Sequence, residues 1–320
     1  MISGKSCFTE TSSIIWEDMN QVCAVIVTYN RKELLIRNVD SILKQTTLAD
    51  VLIYDNCSGD GTETLIREQN YDPRVIYIRA NENTGGAGGF SHGIEEAYGR
   101  GYAYIWLMDD DGYSLNENTL GILVRHMEKF PQRKMMLNSL VLCNPSEQGG
   151  DDTLSFTLFG ERKISAIPEK IVDGEIRGEI SSFNSTLFSR KLVEEVGTVK
   201  AEFFIYGDDT EYLKRAQLAG YELVTVVESR YYHPDSGMGY RRIFGKIVAM
   251  REQTLRNTYY YVRNYMYIIR NYSGKKKALI HGIKVILKTF LYKKEKFRKL
   301  RVSWYGLIDG YRGEFGRQRW

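Results

Sequence analysis

Short apolar runs alternate with helical patterns along residues 22–108. The run Val22 to Val27 has no helical period, so it predicts a strand that is buried on both faces. Similar runs predict three further strands, at 51–54, 75–78 and 104–108. Apolar positions spaced for one helical face predict helices between these strands, at 34–43, 62–68 and 85–98. Alternating strands and helices with short connections predict a mostly parallel α/β sheet with helices on both faces.

The pattern is less regular after residue 115. We predict a helix near 117–129, a strand near 135–142, and an irregular region over 144–180 with short β-like pieces such as 154–159. Regular elements return at 186–188, in a helix through Val193, in a helix over 208–218 and in a strand at 223–227. The chain therefore divides into an N-terminal extension (1–20), an α/β domain (21–240) and a basic, aromatic, helical C-terminal extension (241–320).

Charge is distributed unevenly between these parts. Residues 241–320 hold 21 Lys and Arg against 4 Asp and Glu, whereas residues 1–240 hold 23 against 36. Segment 259–270 interleaves aromatic, aliphatic and cationic residues, and 275–301 adds a dense basic set. At helical spacing, such a composition suits the interface of a membrane that contains anionic lipid. A docking helix or a partner interface is the alternative, and we expect no nucleic-acid partner.

The apolar stretches and the cysteines predict a cytoplasmic protein. The polar N-terminus predicts no signal peptide. The stretch 279–292 is interrupted by His281, Lys284 and Lys288, so it predicts no membrane-spanning helix. The four cysteines are scattered and form no C-x-x-C pair, which is typical of reduced thiols.

Polar residues follow each of the first four predicted strands. Ligands of open α/β sheets bind beyond the carboxyl ends of the strands, so these residues are the first candidates for a site. They converge on one edge of the sheet and comprise Thr28-Tyr29-Asn30, Asp55-Asn56, the segment 81–89 and Asp109-Asp110-Asp111.

The aspartate triplet places three carboxylates directly after an apolar strand. Neighbouring carboxylates repel one another unless a cation or strong donors offset their charge. A hard divalent ion such as Mg²⁺ or Mn²⁺, held by one or two carboxylates and by substrate phosphates, fits this pattern. The alternative is a solvated acidic turn that caps a helix.

Three other features bear on the same hypothesis. The glycine-rich stretch 83–90 opens a helix whose N-terminal amides suit a phosphate, although it lacks the P-loop pattern and a simple turn is the alternative. Asp208, Asp209 and Glu211 lie in a first helical turn, either as partners of the helix dipole or as the source of a general base. His233 is either a packing histidine or a nitrogen ligand of the metal.

Together these segments resemble the family 2 glycosyltransferases of GT-A fold, over residues 21–235. The resemblance rests on an ordered set of motifs: Thr28-Tyr29-Asn30-Arg31, Asp55-Asn56-Cys57-Ser58, Asn83-Thr84-Gly85-Gly86, the aspartate triplet, Gly207-Asp208-Asp209 and His233. It implies a nucleotide-sugar half at about 21–115 and an acceptor half at about 116–240.

The resemblance also implies roles for individual residues. Asp55 would read the nucleotide base, and Thr28 and Tyr29 would form the wall of the nucleoside pocket. Asp209 would be the catalytic base, with Glu211 as its companion in sugar binding. The metal would be held by Asp109, Asp111 and His233. The remaining motif residues are assigned to substrate binding: Asn30, Asn83, Gly85, Gly86, Asp110 and Asp208.

Within the family, the glycine-rich run, the triple aspartate and the Asp208 to Tyr212 segment look most like the bacterial galactofuranosyltransferases. This implies an inverting transfer of galactofuranose from UDP-galactofuranose to a lipid-linked glycan of a cell-surface polysaccharide, at the inner face of the cell membrane. A rhamnosyltransferase that uses dTDP-rhamnose is the alternative. Rival hypotheses are a nucleotidyltransferase and a catalytically inactive nucleotide-sugar-binding or membrane scaffold protein.

Overall fold

The computed structural model describes residues 21–68, 72–145, 152–235, 240–243, 246–249, 253–292 and 295–316. The N-terminal extension predicted at 1–20 lies outside these ranges.

The first half of the α/β domain forms the parallel sheet that the hydrophobic pattern predicts. Its four strands run in the order β3-β2-β1-β4. They are β1 (Val22–Thr28), β2 (Asp50–Asp55), β3 (Val75–Arg79) and β4 (Tyr104–Asp109). The connecting helices are α1 (Lys32–Leu43), α2 (Thr62–Glu68) and α3 (Gly85–Gly99). Every residue of β1 is buried, because α3 covers one face of this strand and α1 lies against the other.

The second half adds strands of both orientations, so the sheet as a whole is mixed. It contains β5 (Tyr113–Ser114), α4 (Thr119–Lys129), β6 (Met135–Asn144), β7 (Thr153–Leu158), β8 (Glu161–Lys163), β9 (Ile171–Val172), β10 (Glu175–Arg177), β11 (Thr186–Ser189), α5 (Arg190–Val196), α6 (Asp208–Leu218) and β12 (Glu222–Tyr232). Strand β11 lies antiparallel between β4 and β6, while β6 and β12 pair in parallel. Apolar runs in buried strands are similar in both orientations, so the sequence pattern does not distinguish them.

Within the α/β domain, two regions differ most from the prediction. The region expected to be irregular contributes β7 to β10 to the sheet, together with 3-10 turns at Ile164–Ala166 and Pro168–Lys170. The strand predicted at 223–227 continues to Tyr232. Its pairing with β6 shifts register between Val226 and Arg230, and the polar residues at this irregularity interrupt the apolar pattern.

The C-terminal extension is helical, as predicted. A hairpin of β13 (Tyr240–Ile243) and β14 (Lys246–Ala249) precedes three helices, α7 (Leu255–Ser273), α8 (Lys275–Thr289) and α9 (Lys296–Arg312), which we call the C-terminal helices. Helix α7 packs on the α/β domain, where the side chain of Asn264 bonds to backbone carbonyls of residues 203–206. Helix α7 therefore docks on the α/β domain, which is the alternative to a membrane interface for this segment. Within the described ranges, no helix is both long enough and apolar enough to span a bilayer.

Candidate active site

Asp109, Asp111 and His233 come together beyond the carboxyl end of β4. Asp109 is the last residue of β4, Asp111 lies two residues farther on, and His233 comes directly after β12. The His233 Nε2 atom lies 3.2 Å from Asp111 Oδ1 and 4.0 Å from Asp109 Oδ2. One ligand atom from each residue falls within 4.8 Å of the others, a spacing that can hold a metal ion.

The orientation of His233 suits metal binding. Its Nδ1 atom lies 2.7 Å from the carbonyl oxygen of Pro234, so in the neutral ring Nδ1 donates there and Nε2 presents a lone pair. Asp111 Oδ1 is buried and, apart from the His233 ring, has no hydrogen-bond donor among the described residues. Two acceptor atoms facing each other at 3.2 Å need a proton or a cation between them. The residues present therefore fit a divalent ion.

The electrostatics of the cluster reflect its crowding. Although 42% of the Asp109 side chain is exposed, desolvation by the surrounding protein and the negative charge of Asp111 raise the pKa of Asp109 to about 7. Burial disfavours the charged form of His233, but Asp111 outweighs it and the pKa of His233 is raised. Burial likewise opposes ionisation of Asp111, but His233 and Arg31 outweigh it and the pKa of this carboxyl is lowered.

Asp110 faces away from the cluster, toward the end of β1. Its Oδ2 accepts a 2.8 Å hydrogen bond from the Thr28 hydroxyl, and both side chains are buried. Arg31 Nη1 bridges Asp110 Oδ1 at 3.1 Å and Asp111 Oδ2 at 2.9 Å. Thr28 and Asp110, both predicted to bind substrate, thus contact each other. Arg31 connects them to the cluster of Asp109, Asp111 and His233.

Asp55 lies in a closed hydrogen-bonding environment at the end of β2. Its Oδ1 accepts from the Ser58 amide at 2.9 Å and its Oδ2 from the Tyr77 hydroxyl at 2.5 Å, and its side chain is buried. Asn30, in the left-handed region at φ 55°, accepts from the Gly59 amide through its side chain. Tyr29 is 46% exposed, so an aromatic face is accessible at this edge.

The glycine-rich stretch packs closely against neighbouring protein. The Gly85 amide donates to Asn83 Oδ1 at 2.8 Å, and the Ala87 amide donates to the Phe204 carbonyl at 3.1 Å. Gly85 has φ +74°, and a Cβ there would lie 2.0 Å from the Phe204 oxygen, whereas a Cβ at Gly86 would meet open space. Part of the glycine requirement is therefore explained by packing.

Asp208 and Asp209 open α6 within electrostatic reach of Asp109. The Glu211 carboxylate instead faces Arg215 and Tyr272. Burial and the neighbouring Asp209 raise the pKa of Asp208 to about 8, and Asp109 contributes to the same effect. Asp209 Oδ1 accepts from its neighbour Thr210. Glu211 is fully buried, accepts from Arg215 Nε at 2.9 Å and from the Tyr272 hydroxyl at 2.5 Å, and so connects α6 to α7.

Several residues at the site were not assigned a role from the sequence. Arg31 and Asn56 lie inside quoted motifs, and Asn56 Nδ2 donates to the Gly85 carbonyl at 2.9 Å. Asn38 holds the Asp109 carbonyl at 2.8 Å from within α1. Arg263 and Asn264 of α7 gave no sequence signal except that they are a polar pair inside an aromatic run.

Solved structures share this architecture. The chain aligns with GalNAc-T7 bound to UDP, GalNAc and Mn²⁺ at a TM-score of 0.58 and 18% identity, covering 79% of this chain and 48%, about half, of that one. It aligns with residues 1–349 of S. aureus TarS in complex with UDP-GlcNAc at a TM-score of 0.56 and 14% identity, covering 90% and 81%. The fold is therefore that of a GT-A glycosyltransferase.

The chain is also similar in sequence to known glycosyltransferases. Residues 23–135 match the model described as Glycosyl transferase family 2. The chain is 28% identical over 266 residues to Galactofuranosyltransferase GlfT1 of Mycobacterium tuberculosis, which covers 81% of this chain and 84% of the relative. The protein is a glycosyltransferase that carries a family 2 domain.

Proposed function

We propose that the protein is an inverting, metal-dependent glycosyltransferase that moves galactofuranose from UDP-galactofuranose to a lipid-linked glycan in cell-surface polysaccharide synthesis. The observation that carries the proposal is the cluster of Asp109, Asp111 and His233 at the end of β4, within electrostatic reach of Asp208 and Asp209. The likeness to GlfT1 supports the choice of donor.

The proposed reaction is a single displacement. Asp209 takes the proton of the acceptor hydroxyl, the oxygen forms a bond to the anomeric carbon, and the bond from that carbon to the diphosphate breaks with inversion. Asp109, Asp111 and His233 would hold a Mn²⁺ or Mg²⁺ ion, which neutralises the charge of the departing nucleoside diphosphate. Tyr29 and Asp55 are proposed to hold the nucleoside. A hydrogen bond from the base to Asp55 would replace one of the two bonds that its carboxylate accepts from Ser58 and Tyr77.

A donor panel tests this function. Purified protein is mixed with Mn²⁺ or Mg²⁺, a membrane extract as acceptor source, and UDP-galactofuranose, dTDP-rhamnose or a UDP-hexopyranose, and nucleoside-diphosphate release is measured. We expect release from UDP-galactofuranose that is lost in Asp209→Asn. Release only from dTDP-rhamnose would identify the rhamnosyltransferase alternative, while pyrophosphate release from a nucleoside triphosphate would identify a nucleotidyltransferase. A protein that binds UDP without turnover would be the scaffold.

The C-terminal helices support a proposed peripheral membrane location at the cytoplasmic face. Helices α8 and α9 border a groove of about 900 Å³ whose lining is apolar except for a few cationic residues. Leu279, Leu287 and Trp304 are 68%, 62% and 57% exposed. An exposed apolar surface with lysines beside it suits an anionic bilayer, which is where a lipid-linked acceptor would be found.

A further inference from the structure

The segment between residues 202 and 207 has an unusual backbone. It includes the end of a 3-10 turn at Ala201–Phe203 and leads directly into α6. Phe204 and Tyr206 have φ angles of 65° and 68°, and Gly207 has 79°. Aromatic residues rarely adopt the left-handed region, so contacts from outside the segment must hold this conformation.

Two buried residues of α7 provide those contacts. Asn264 Nδ2 lies within hydrogen-bond distance of the carbonyl oxygens of Phe203 at 2.9 Å, Ile205 at 3.0 Å and Tyr206 at 2.8 Å, which share its two N–H donors. Arg263 Nη2 donates to the carbonyl oxygens of Glu202 at 2.9 Å and Phe203 at 3.0 Å. Both side chains are at most 1% exposed, so water does not replace these donors.

The same segment touches both halves of the site. The Phe204 carbonyl accepts from the Ala87 amide at the start of α3, on the side of the glycine-rich stretch. At its other end, Gly207 precedes Asp208 and Asp209. A displacement of this segment would therefore move Asp208 and Asp209 relative to the glycine-rich stretch at the start of α3.

Helix α9 supports α7 from behind. A Cβ at Gly310 would lie 2.1 Å from the Arg263 carbonyl oxygen, so the two helices approach closely at this point. The Arg263 guanidinium lies over the rings of Tyr260 at 4.8 Å and Phe315 at 4.9 Å. A planar guanidinium held on two aromatic faces has little freedom to leave the carbonyls that it binds.

We propose that Arg263 and Asn264 are positioning residues of the active site, through which the C-terminal helices set the placement of Asp209. The proposal rests on the base role of Asp209 in the proposed function. It implies that α7 is required to place Asp209 correctly. Removing the C-terminal extension would therefore abolish transfer, whether or not the extension binds a membrane.

The test compares matched substitutions in the full-length protein. Asn264→Leu removes the side-chain amide donors at similar volume, and Asn271→Leu makes the same change on the same helix at an exposed residue that bonds within α7. Arg263→Met removes the guanidinium donors, and Arg263→Lys restores one donor group. Val302→Ala, in the packing between α7 and α9, serves as a control for lost stability.

We expect kcat for transfer to fall about 100-fold in Asn264→Leu and Arg263→Met, because misplacing a reacting group by about 1 Å has an effect of that size. UDP–Mn²⁺ affinity should be unchanged, Arg263→Lys should recover part of kcat, and Asn271→Leu should resemble the wild type. Hydrogen exchange in the peptide containing residues 202–209 should become faster in the two impaired variants.

Two results would overturn the proposal. One is an unchanged kcat in Asn264→Leu. The other is a loss of kcat that Val302→Ala reproduces at an equal melting temperature, since this would indicate general destabilisation. Hydrogen exchange does not depend on turnover, so a wild type without transfer activity would contradict the proposed function while the exchange data still decide whether α7 holds this segment.

Discussion

The two carboxylate oxygens of Asp111 have different environments. Oδ2 accepts from Arg31 at 2.9 Å, whereas Oδ1 is buried, faces His233 and has no other donor among the described residues. A carboxylate held in this way offers one oxygen to a metal in a fixed direction. Arg31 also offsets part of the negative charge that Asp109, Asp110 and Asp111 accumulate.

Replacing Asp111 by Asn should therefore remove metal-dependent activity. We expect nucleoside-diphosphate release to fall by about 100-fold or more, because the ligand loses its charge and the amide nitrogen can replace an oxygen donor. Mn²⁺ titration of the protein with UDP should show weaker binding. Addition of EDTA to the wild type should abolish release, and excess Mn²⁺ should restore it. Activity of Asp111→Asn close to that of the wild type would contradict the site.

Substitution of Arg31 should weaken metal binding with little loss of stability. Its side chain is 51% exposed, so Arg31→Gln should change the free energy of unfolding by about 1 kcal/mol or less. The Mn²⁺ requirement should rise several-fold, because losing the group that fixes the Asp111 rotamer outweighs the stronger attraction of a more negative site for the cation. Arg67→Gln, which removes a 65% exposed arginine paired with Glu63, is the matched control and should leave both quantities unchanged. Equal Mn²⁺ requirements in the two variants would refute this role.

The sequence predicted where these residues lie but not which partners they have. Strand ends of a parallel sheet meet at one edge, so Thr28, Asp55 and the triplet could be placed there from the apolar runs alone. The direction of each side chain depends on the turn after the strand and on neighbours far along the chain. This is why the bond from Thr28 to Asp110 and the closed environment of Asp55 emerged only from the structure.

At the scale of elements, the start of α3 depends on Gly85. Gly85→Ala should lower the free energy of unfolding by about 3 kcal/mol, because its positive φ and the Phe204 carbonyl both oppose a Cβ. Gly86→Ala, one residue along with open space at its Cβ, should have an effect below about 1 kcal/mol. Urea unfolding of both variants measures the difference. Equal destabilisation would show that the contact with Phe204 does not determine the need for glycine.

Helix α6 is tied to α7 through Glu211, which the family resemblance assigned to sugar binding. Its bonds to Arg215 and Tyr272 favour a structural contribution. Glu211→Gln should lower the free energy of unfolding by about 2 kcal/mol, since it weakens two charge-assisted hydrogen bonds at a fully buried position. The KM for the nucleotide sugar should remain unchanged. A rise in that KM without loss of stability would instead support sugar binding.

The docking of α7 shows the limit of sequence patterns at this scale. Tyrosine, arginine and aliphatic residues at helical spacing are compatible with a lipid interface and with a protein interface. The structure separates the helices: α7 buries Arg263, Asn264 and Tyr259 against protein, whereas α8 exposes Leu279 and Leu287. Basic, aromatic composition predicted a helical extension correctly, but only the packing distinguishes its buried helix from its exposed one.

At the scale of the whole molecule, positive charge and exposed apolar area coincide at the C-terminal helices. Residues 241–320 carry 21 Lys and Arg against 4 Asp and Glu, and the acidic part of the chain bears the proposed metal-binding cluster. An anionic bilayer attracts the first region and repels the second. Such a charge distribution would orient the protein with α8 and α9 toward the lipid.

We therefore expect Leu279→Asp with Leu287→Asp to reduce binding to vesicles that contain phosphatidylglycerol. The double variant removes two exposed leucines and adds two negative charges at the apolar face. Leu218→Asp is the control, because Leu218 is 76% exposed but lies at the end of α6.

Co-sedimentation should show strong wild-type binding that falls with added salt and is weak on phosphatidylcholine alone. Wild-type binding that the double variant retains in full would place the lipid contact elsewhere. Because these leucines line the groove that α8 and α9 border, the double variant should keep its kcat toward a soluble acceptor, which separates membrane attachment from the positioning function of α7.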